Sequence, residues 1–470
     1  MKNKIFIASL MLTLCALFCG QLFAQEPQVV HLSPDQAVEM AIKSNLSLES
    51  ARVSSTTKKR ASDLSWNQFV PSVDVGGALL RLNNAPEPVV MDLSNLGPMF
   101  AGIPPIPMGG GGPQWRLAGS MTVSLNLNAS MFQDMKKLEL DYRKGIISYE
   151  KAKTQLERDV RKAYNNMLLL QENISLLKEN YEAAGRRVTM AQANYRAGLV
   201  PELTFLQAQV ARENMKPTMD QVENGFRLAR AQFAMFLGLP YDTSFEFTPI
   251  AQDASFIPLD VTGLISKAAS GKPDIQELKQ DILSLNSIRK STMLKLYSPT
   301  LSLSWNADPA FSKDPLNNSW FEDMDNWKQQ SGSFRVSLGF RLNGLFPFGG
   351  ERQGIRSLDD NIRTANIGLA QMIRGTEIEI YNTVLSLEKT RISAEAQAQT
   401  VKLAERSYRL SEQAYRAGLQ DLLQVRNVEL ELKQAKVSML EQQFNYLNGL
   451  LDLEYAIGVP FGTLSSKEKK

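Results

Sequence analysis

The chain has 470 residues, 43% hydrophobic and 21% charged, with 52 basic against 49 acidic side chains, one histidine and two cysteines. A single imidazole, His31, and two cysteines confined to the extreme N-terminus, Cys15 and Cys19, supply no zinc ligand set, and no metal or other cofactor is expected. The near-balanced charge leaves no electrostatic footprint for nucleic acid.

Residues 1–24 read as an export signal: Lys2 and Lys4, then the apolar stretch from Ile5 to Phe18, then Ala24 as the small residue before Gln25. Acylation at Cys15 or Cys19 is the alternative; bulky Leu14 and Phe18 immediately before them speak against it. Removing this segment takes away two lysines and both cysteines, so the mature chain is formally +1 and built without disulfides. No later run of eighteen apolar residues offers a membrane-spanning helix, although strands are a second way across.

The rest is a tandem duplication. Tyr195-Arg196-Ala197-Gly198-Leu199 returns 220 residues later as Tyr415-Arg416-Ala417-Gly418-Leu419, and Leu237-Gly238-Leu239-Pro240 returns as Ile457-Gly458-Val459-Pro460 at the same offset. The first repeat is placed at 25–250, the second at 251–460, and a polar tail at 461–470. Each repeat runs helix, two alternating segments around a loop, long helix, turn, helix.

The first helix opens at Ser33-Pro34-Asp35-Gln36, a capping-box pattern, breaks near Asn45 and resumes to about Phe69. Its counterpart covers about 261–297 with a break at Pro273-Asp274. Trp115, Leu117, Met121, Val123, Leu125 and Leu127 alternate with polar partners, as do Phe334, Val336, Leu338, Phe340 and Leu342. Val73 and Val75, and Leu301, Leu303 and Trp305, mark weaker partner strands. The expectation is four strands in two hairpins, about 71–127 and 299–343. The connecting loops, 83–114 with its prolines and Gly109–Gly112, and 308–332 with Trp320, Phe321 and Trp327, are expected to hold no helix or ladder; the glycine run lacks the strand-to-helix context of a phosphate cradle.

The long helix is expected over about Asp134–Ala197, about 95 Å at 1.5 Å per residue. Val160, Ala163, Met167, Leu170, Ile174, Leu177, Tyr181, Ala184, Val188, Ala191 and Tyr195 form its heptad seam. The second copy continues through Ile380, Val384, Leu387, Ala394, Ala398, Val401, Tyr408 and Tyr415, with Arg391 and Glu405 on the line. Four strands with an apolar face cannot close a barrel alone, so several chains must pool them, with Trp115, Trp305 and Phe334 near strand ends as girdle residues.

This plan resembles the TolC-like outer-membrane efflux proteins across Leu32 to Pro460, on the duplicated order, the Ser33-Pro34-Asp35-Gln36-Ala37-Val38 start leading to Asn45 and Leu48, and Phe346-Pro347-Phe348-Gly349-Gly350 after the fourth strand. The paired Tyr-Arg-Ala-Gly-Leu turns and Gly-x-Pro ends complete it. The resemblance implies an α+β membrane protein of long coiled-coil helices plus four transmembrane β-strands per chain. A homotrimer would form a 12-stranded β-barrel in outer-membrane lipid, continued by an α-helical periplasmic barrel. It implies a passive exit duct of a tripartite efflux or secretion system, partnered by a periplasmic adaptor and an inner-membrane transporter.

The resemblance also places both turns at the periplasmic tip, with Gly198, Leu199, Gly418 and Leu419 as adaptor contacts and Tyr195, Arg196, Tyr415, Arg416, Gln420, Asp421 and Arg426 as gate candidates. Packing alone is an open alternative for Leu199 and Leu419, and helix capping with Gln424 for Asp421. The acidic positions of the best-known family pattern are here Thr204, Gln424 and Asn427, so no cation-binding ring is expected. An enzyme is not expected, because no nucleophile elbow, metal spacing or dinucleotide fingerprint occurs. The competing reading is a periplasmic coiled-coil adaptor or structural protein, which would not need the paired alternating strands.

Overall fold

The computed structural model describes residues 29–84, 89–93, 97, 99, 104–109, 115–249, 260–308, 310–311, 331–346 and 348–464. Residues 1–24, read as an export signal, with both cysteines, and Trp320, Phe321, Trp327, Pro347 and residues 465–470 lie outside them. In chain order the elements are β1 (Val29–Leu32), α1 (Pro34–Ser44), α2 (Leu46–Asp63), β2 (Ser72–Arg81), β3 (Val89–Met91), β4 (Ile106–Gly109), β5 (Trp115–Asn128) and α3 (Met131–Arg196). Next come α4 (Glu202–Glu213), α5 (Met215–Phe236), β6 (Ser244–Phe247), α6 (Val261–Gly271), α7 (Pro273–Tyr297), β7 (Thr300–Asp308) and β8 (Ala310–Phe311). The chain ends with β9 (Ser331–Gly339), α8 (Gly350–Arg416) and α9 (Leu422–Ile457). No helix among the described residues is long and apolar enough to cross a membrane.

Local chemistry sets the helix ends. Ser33 Oγ accepts from the Gln36 N–H at 3.3 Å while Gln36 Oε1 accepts from the Ser33 N–H at 2.9 Å, the reciprocal cap read from the sequence. Asn45 ends α1 and starts α2: its Oδ1 accepts from the Ser47 and Leu48 N–H groups at 3.0 and 3.2 Å. Pro273 starts α7 as expected. In the first repeat the final helix is split at Asn214, because Pro217 has no N–H to offer the Glu213 carbonyl and its ring crowds that oxygen. The second repeat has Val437 at the equivalent position, and α9 is continuous.

One compact unit comprises residues 56–145 and 279–368. The expected hairpins merge here into one antiparallel sheet, order β2-β5-β7-β9, because β5 also pairs with β7 from Met121↔Ala307 to Asn128↔Thr300. Register aligns side chains in rows. Val73, Val123, Trp305 and Phe334 form one row, and Leu127, Leu301 and Leu338 another, whereas Ser72, Ser124, Ser304 and Arg335 line up on the opposite face. The sheet therefore has one apolar and one polar face, and Val73, Trp305, Phe334 and Leu338 are exposed on the former.

Three expectations are corrected by this unit. Loop 83–114 does hold a short ladder, β3 with β4, and β8 adds a two-residue pairing on β5 from the other loop. Proline tolerates a strand edge, which is how Pro107 enters β4. Trp115 opens β5 as expected, but Trp305 and Phe334 face each other within their strands rather than at the ends.

The other unit takes the described residues up to Ser55, Ile146–Leu278 and Leu369 onward. A parallel pair, β1 with β6, joins the two ends of the first repeat, which four residues without alternation could not announce. Buried Tyr164 on α3 places its hydroxyl 2.7 Å from the Leu32 carbonyl and 2.9 Å from that of Thr248, fixing both strands to the helix. Around it Leu32, Val160, Met167, Phe233, Leu237 and Phe247 form the first core. His31, read as a solvated side chain, is exposed and pairs with exposed Glu246 at 3.0 Å.

A second core packs Ile380 and Leu387 of α8 on Leu450, Leu453 and Ile457 of α9 and on Leu264 and Ala268 of α6. Along α8 the buried positions Ile380, Leu387, Ala394 and Val401 recur every seven residues, while Ile378, Leu385 and Ile392 form a parallel heptad line that is exposed. The two polar interruptions of the seam are paired: Arg391 with Glu395 at 2.9 Å, and Glu405 with Lys436 at 3.1 Å.

Candidate functional site

The two Tyr-Arg-Ala-Gly-Leu turns are built alike. Gly198 and Gly418 adopt φ of +71° and +73°, the left-handed conformation that an L side chain resists. Each then closes the preceding helix with two bonds: the Gly198 and Leu199 N–H groups reach the Tyr195 and Asn194 carbonyls, and those of Gly418 and Leu419 reach Tyr415 and Ala414. This helix-ending motif turns the next side chain outward. Leu199 is 74% and Leu419 83% exposed, so each turn presents an unpartnered leucine.

Other nominated residues fall into distinct environments. Tyr195 stacks on Phe205 with ring centroids 6.3 Å apart, and Arg196 is exposed. Neither makes a hydrogen bond, ion pair or ring contact with the second turn among the described residues. Arg416 pairs with Glu412 one helical turn back at 2.7 Å, and Gln420 accepts from the Ser411 hydroxyl at 3.0 Å. Asp421 is the N-cap of α9, accepting from the Gln424 N–H at 2.9 Å. The structure thus gives Asp421 the capping role that was one of its two readings.

Tyr415 and Arg426 gather around a feature the sequence did not nominate. Arg187 of α3 and Glu429 of α9 form an ion pair at 2.6 Å with side chains only 12% and 14% exposed. The Tyr415 hydroxyl is buried with no protein partner, and burial pushes its pKa up, with the Arg187 charge opposing. Burial likewise raises Tyr408, helped by Glu429. Arg187 and Glu429 lie 242 residues apart and only inter-repeat packing pairs them; the Arg186-Arg187 doublet beside seam residue Val188 was the one available signal.

Between α3, the α4–α5 break and α9 lies a cleft of about 240 Å³ whose wall includes Arg187, Glu429, Arg426 and Lys433. A second, mostly apolar groove beside it is lined by Leu203, Leu206 and Val210 of α4 and Leu422 and Leu423 of α9. The two together present charged side chains beside an apolar, partly exposed wall.

Residues 37–238 match the sequence model of a family described as outer membrane efflux protein. No curated protein matches the chain in sequence. Among solved structures, CusC, described through its transmembrane channel formation, superposes with a TM-score of 0.69 at 14% identity over 94% of this chain and 96% of its own. The CmeC outer membrane channel of Campylobacter jejuni gives 0.69 at 15% identity, covering 93% and 87%. The outer membrane protein VceC of Vibrio cholerae gives 0.68 at 14%, covering 91% and 96%.

Proposed function

Because residues 37–238 match the outer membrane efflux protein family and the fold is that of outer-membrane channels, we propose that this chain is a TolC-like channel of the outer membrane and that three copies form a single passive duct. The chain is an efflux channel of the outer membrane that extends into the periplasm, not an enzyme. The finer reading is that it works in a tripartite system, its tip turns meeting a periplasmic adaptor that couples it to an inner-membrane transporter.

The observation that carries the oligomer is the sheet of the 56–145 and 279–368 unit. It has an apolar, exposed face and two edges, β2 and β9, without a strand partner among the described residues. In lipid every unpaired backbone group costs several kcal/mol, so those edges need partners from other copies, and three copies of four strands give a closed twelve. The exposed Ile378, Leu385 and Ile392 line on α8 calls for a neighbouring helix in the same way. A periplasmic adaptor or structural coiled coil would leave that sheet face without a use.

Exposed Leu199 and Leu419 support tip docking. Photo-reactive benzoylphenylalanine at either position, in cells, is expected to capture a periplasmic protein, whereas the equally exposed Tyr241 is not. Equal capture at all three sites, or none at the leucines, would remove the tip from the docking surface.

A further inference from the structure

We propose that the cleft between α3, the α4–α5 break and α9 binds an amphipathic organic anion, a carboxylate or sulfonate head on a short apolar body. Four charged side chains face it: Arg187, Arg426, Lys433 and Glu429. Glu429 is consumed by Arg187 Nη2 at 2.6 Å, which leaves two cationic side chains, Arg426 and Lys433, with no carboxylate partner among the described residues. Arg187 has its own unmet need. Its Nη1 is buried with no acceptor among the described residues, and a buried charged donor left unpaired is costly. An anionic oxygen satisfies that donor and adds a charge-assisted bond.

The rest of the wall is apolar. Ala184, Ala208, Ala211, Met215, Leu422 and Leu430 line it together with Asn180 and Asn214. At about 240 Å³ the space lies just under the usual range of about 300–1,000 Å³ for small-molecule sites, which suits a short amphiphile rather than a bulky ligand. The helix break that opens the cleft occurs in the first repeat and not at the equivalent position of the second. Pro217 breaks the helix at Asn214 and so separates α4 from α5 beside Ala211 and Met215, whereas α9 runs on unbroken. The inference concerns this chain's own ligand and does not depend on adaptor docking.

The test uses the mature full-length protein in amphipol, free of detergent micelles, with a diazirine-bearing dodecanoate as photo-probe. Adducts are expected on α3, α4 and α9 at the cleft, competed by decanoate and not by decanol. Arg426→Gln with Lys433→Gln, an exposed and a half-buried position whose loss leaves the helices intact, is expected to weaken decanoate competition roughly tenfold. Ala211→Trp fills the cleft and is expected to abolish labelling there. Adducts confined to the apolar strand face, equal competition by decanol, or labelling indifferent to both variants would overturn the proposal.

Discussion

Arg187 and Glu429 form the ion pair in which both partners are least exposed among the described residues, and it ties the long helix of the first repeat to the last helix of the second. A pair held this far from solvent behaves as a unit, since removing one partner strands the other charge. Glu429→Ala is expected to destabilise the protein by about 2–4 kcal/mol. The double change Arg187→Leu, Glu429→Leu is expected to recover most of that loss. Thermal melting followed by helical circular dichroism measures both; a single variant costing nothing would place the pair in effective solvent.

Two left-handed glycines, Gly198 and Gly238, separate backbone strain from crowding. A Cβ at Gly198 meets nothing within 4 Å, so Gly198→Ala pays only for its left-handed backbone, about 1 kcal/mol. At Gly238 a Cβ would stand 2.5 Å from Ser44 Cβ and 2.8 Å from the Ser44 carbonyl oxygen, so Gly238→Ala is expected to cost clearly more. Equal melting temperatures for the two variants would contradict this ordering.

Asp421 offers a test of capping against gating. Loss of the cap in Asp421→Ala is expected to cost about 1 kcal/mol, while Asp421→Asn, which keeps an acceptor for the Gln424 N–H, stays near the parent. If the same residue also holds the tip, Tyr415→Phe combined with Asp421→Ala raises single-channel conductance in planar bilayers. Unchanged open probability leaves Asp421 as a cap alone.

Glu454 gives the pH dependence its sign. Its buried carboxylate accepts from the Gly462 and Leu464 N–H groups at 3.0 and 2.7 Å and so anchors the end of the described chain. Burial, the largest influence, raises its pKa; those two N–H groups and Arg161 oppose, and Glu157 adds to the rise. With the folded pKa above the unfolded one, its contribution is full below the ordinary carboxylate value and falls as pH rises through the raised pKa. The parent is therefore expected to lose melting temperature relative to Glu454→Gln across that rise. A difference that grows in the parent's favour with increasing pH would reverse the assignment.

What the sequence revealed followed from periodicity and from local bonding. Ser33 and Gln36 cap each other because they are three residues apart; Gly198 and Gly418 stand out because a duplicated turn repeats them; the rows containing Val123 and Leu127 follow from alternation. What it concealed depended on partners far along the chain. The β5–β7 pairing that fuses two hairpins, the β1–β6 ladder and the Arg187–Glu429 pair each join segments more than 170 residues apart, where no spacing rule operates. The split at Asn214 ahead of Pro217 was not anticipated either, and its consequence, the cleft, needed α9 on the other side.

In the proposed trimer, other copies of the same chain complete the exposed sheet edges and the exposed α8 seam. Leu385→Glu with Ile392→Glu places charge on that seam and is expected to weaken assembly, read by sedimentation of the extracted protein. The most direct measurement is electron microscopy of the detergent-extracted mature protein viewed end-on. Threefold rings around an open lumen are the expected result; compact single-chain particles, or rods without a lumen, would contradict it.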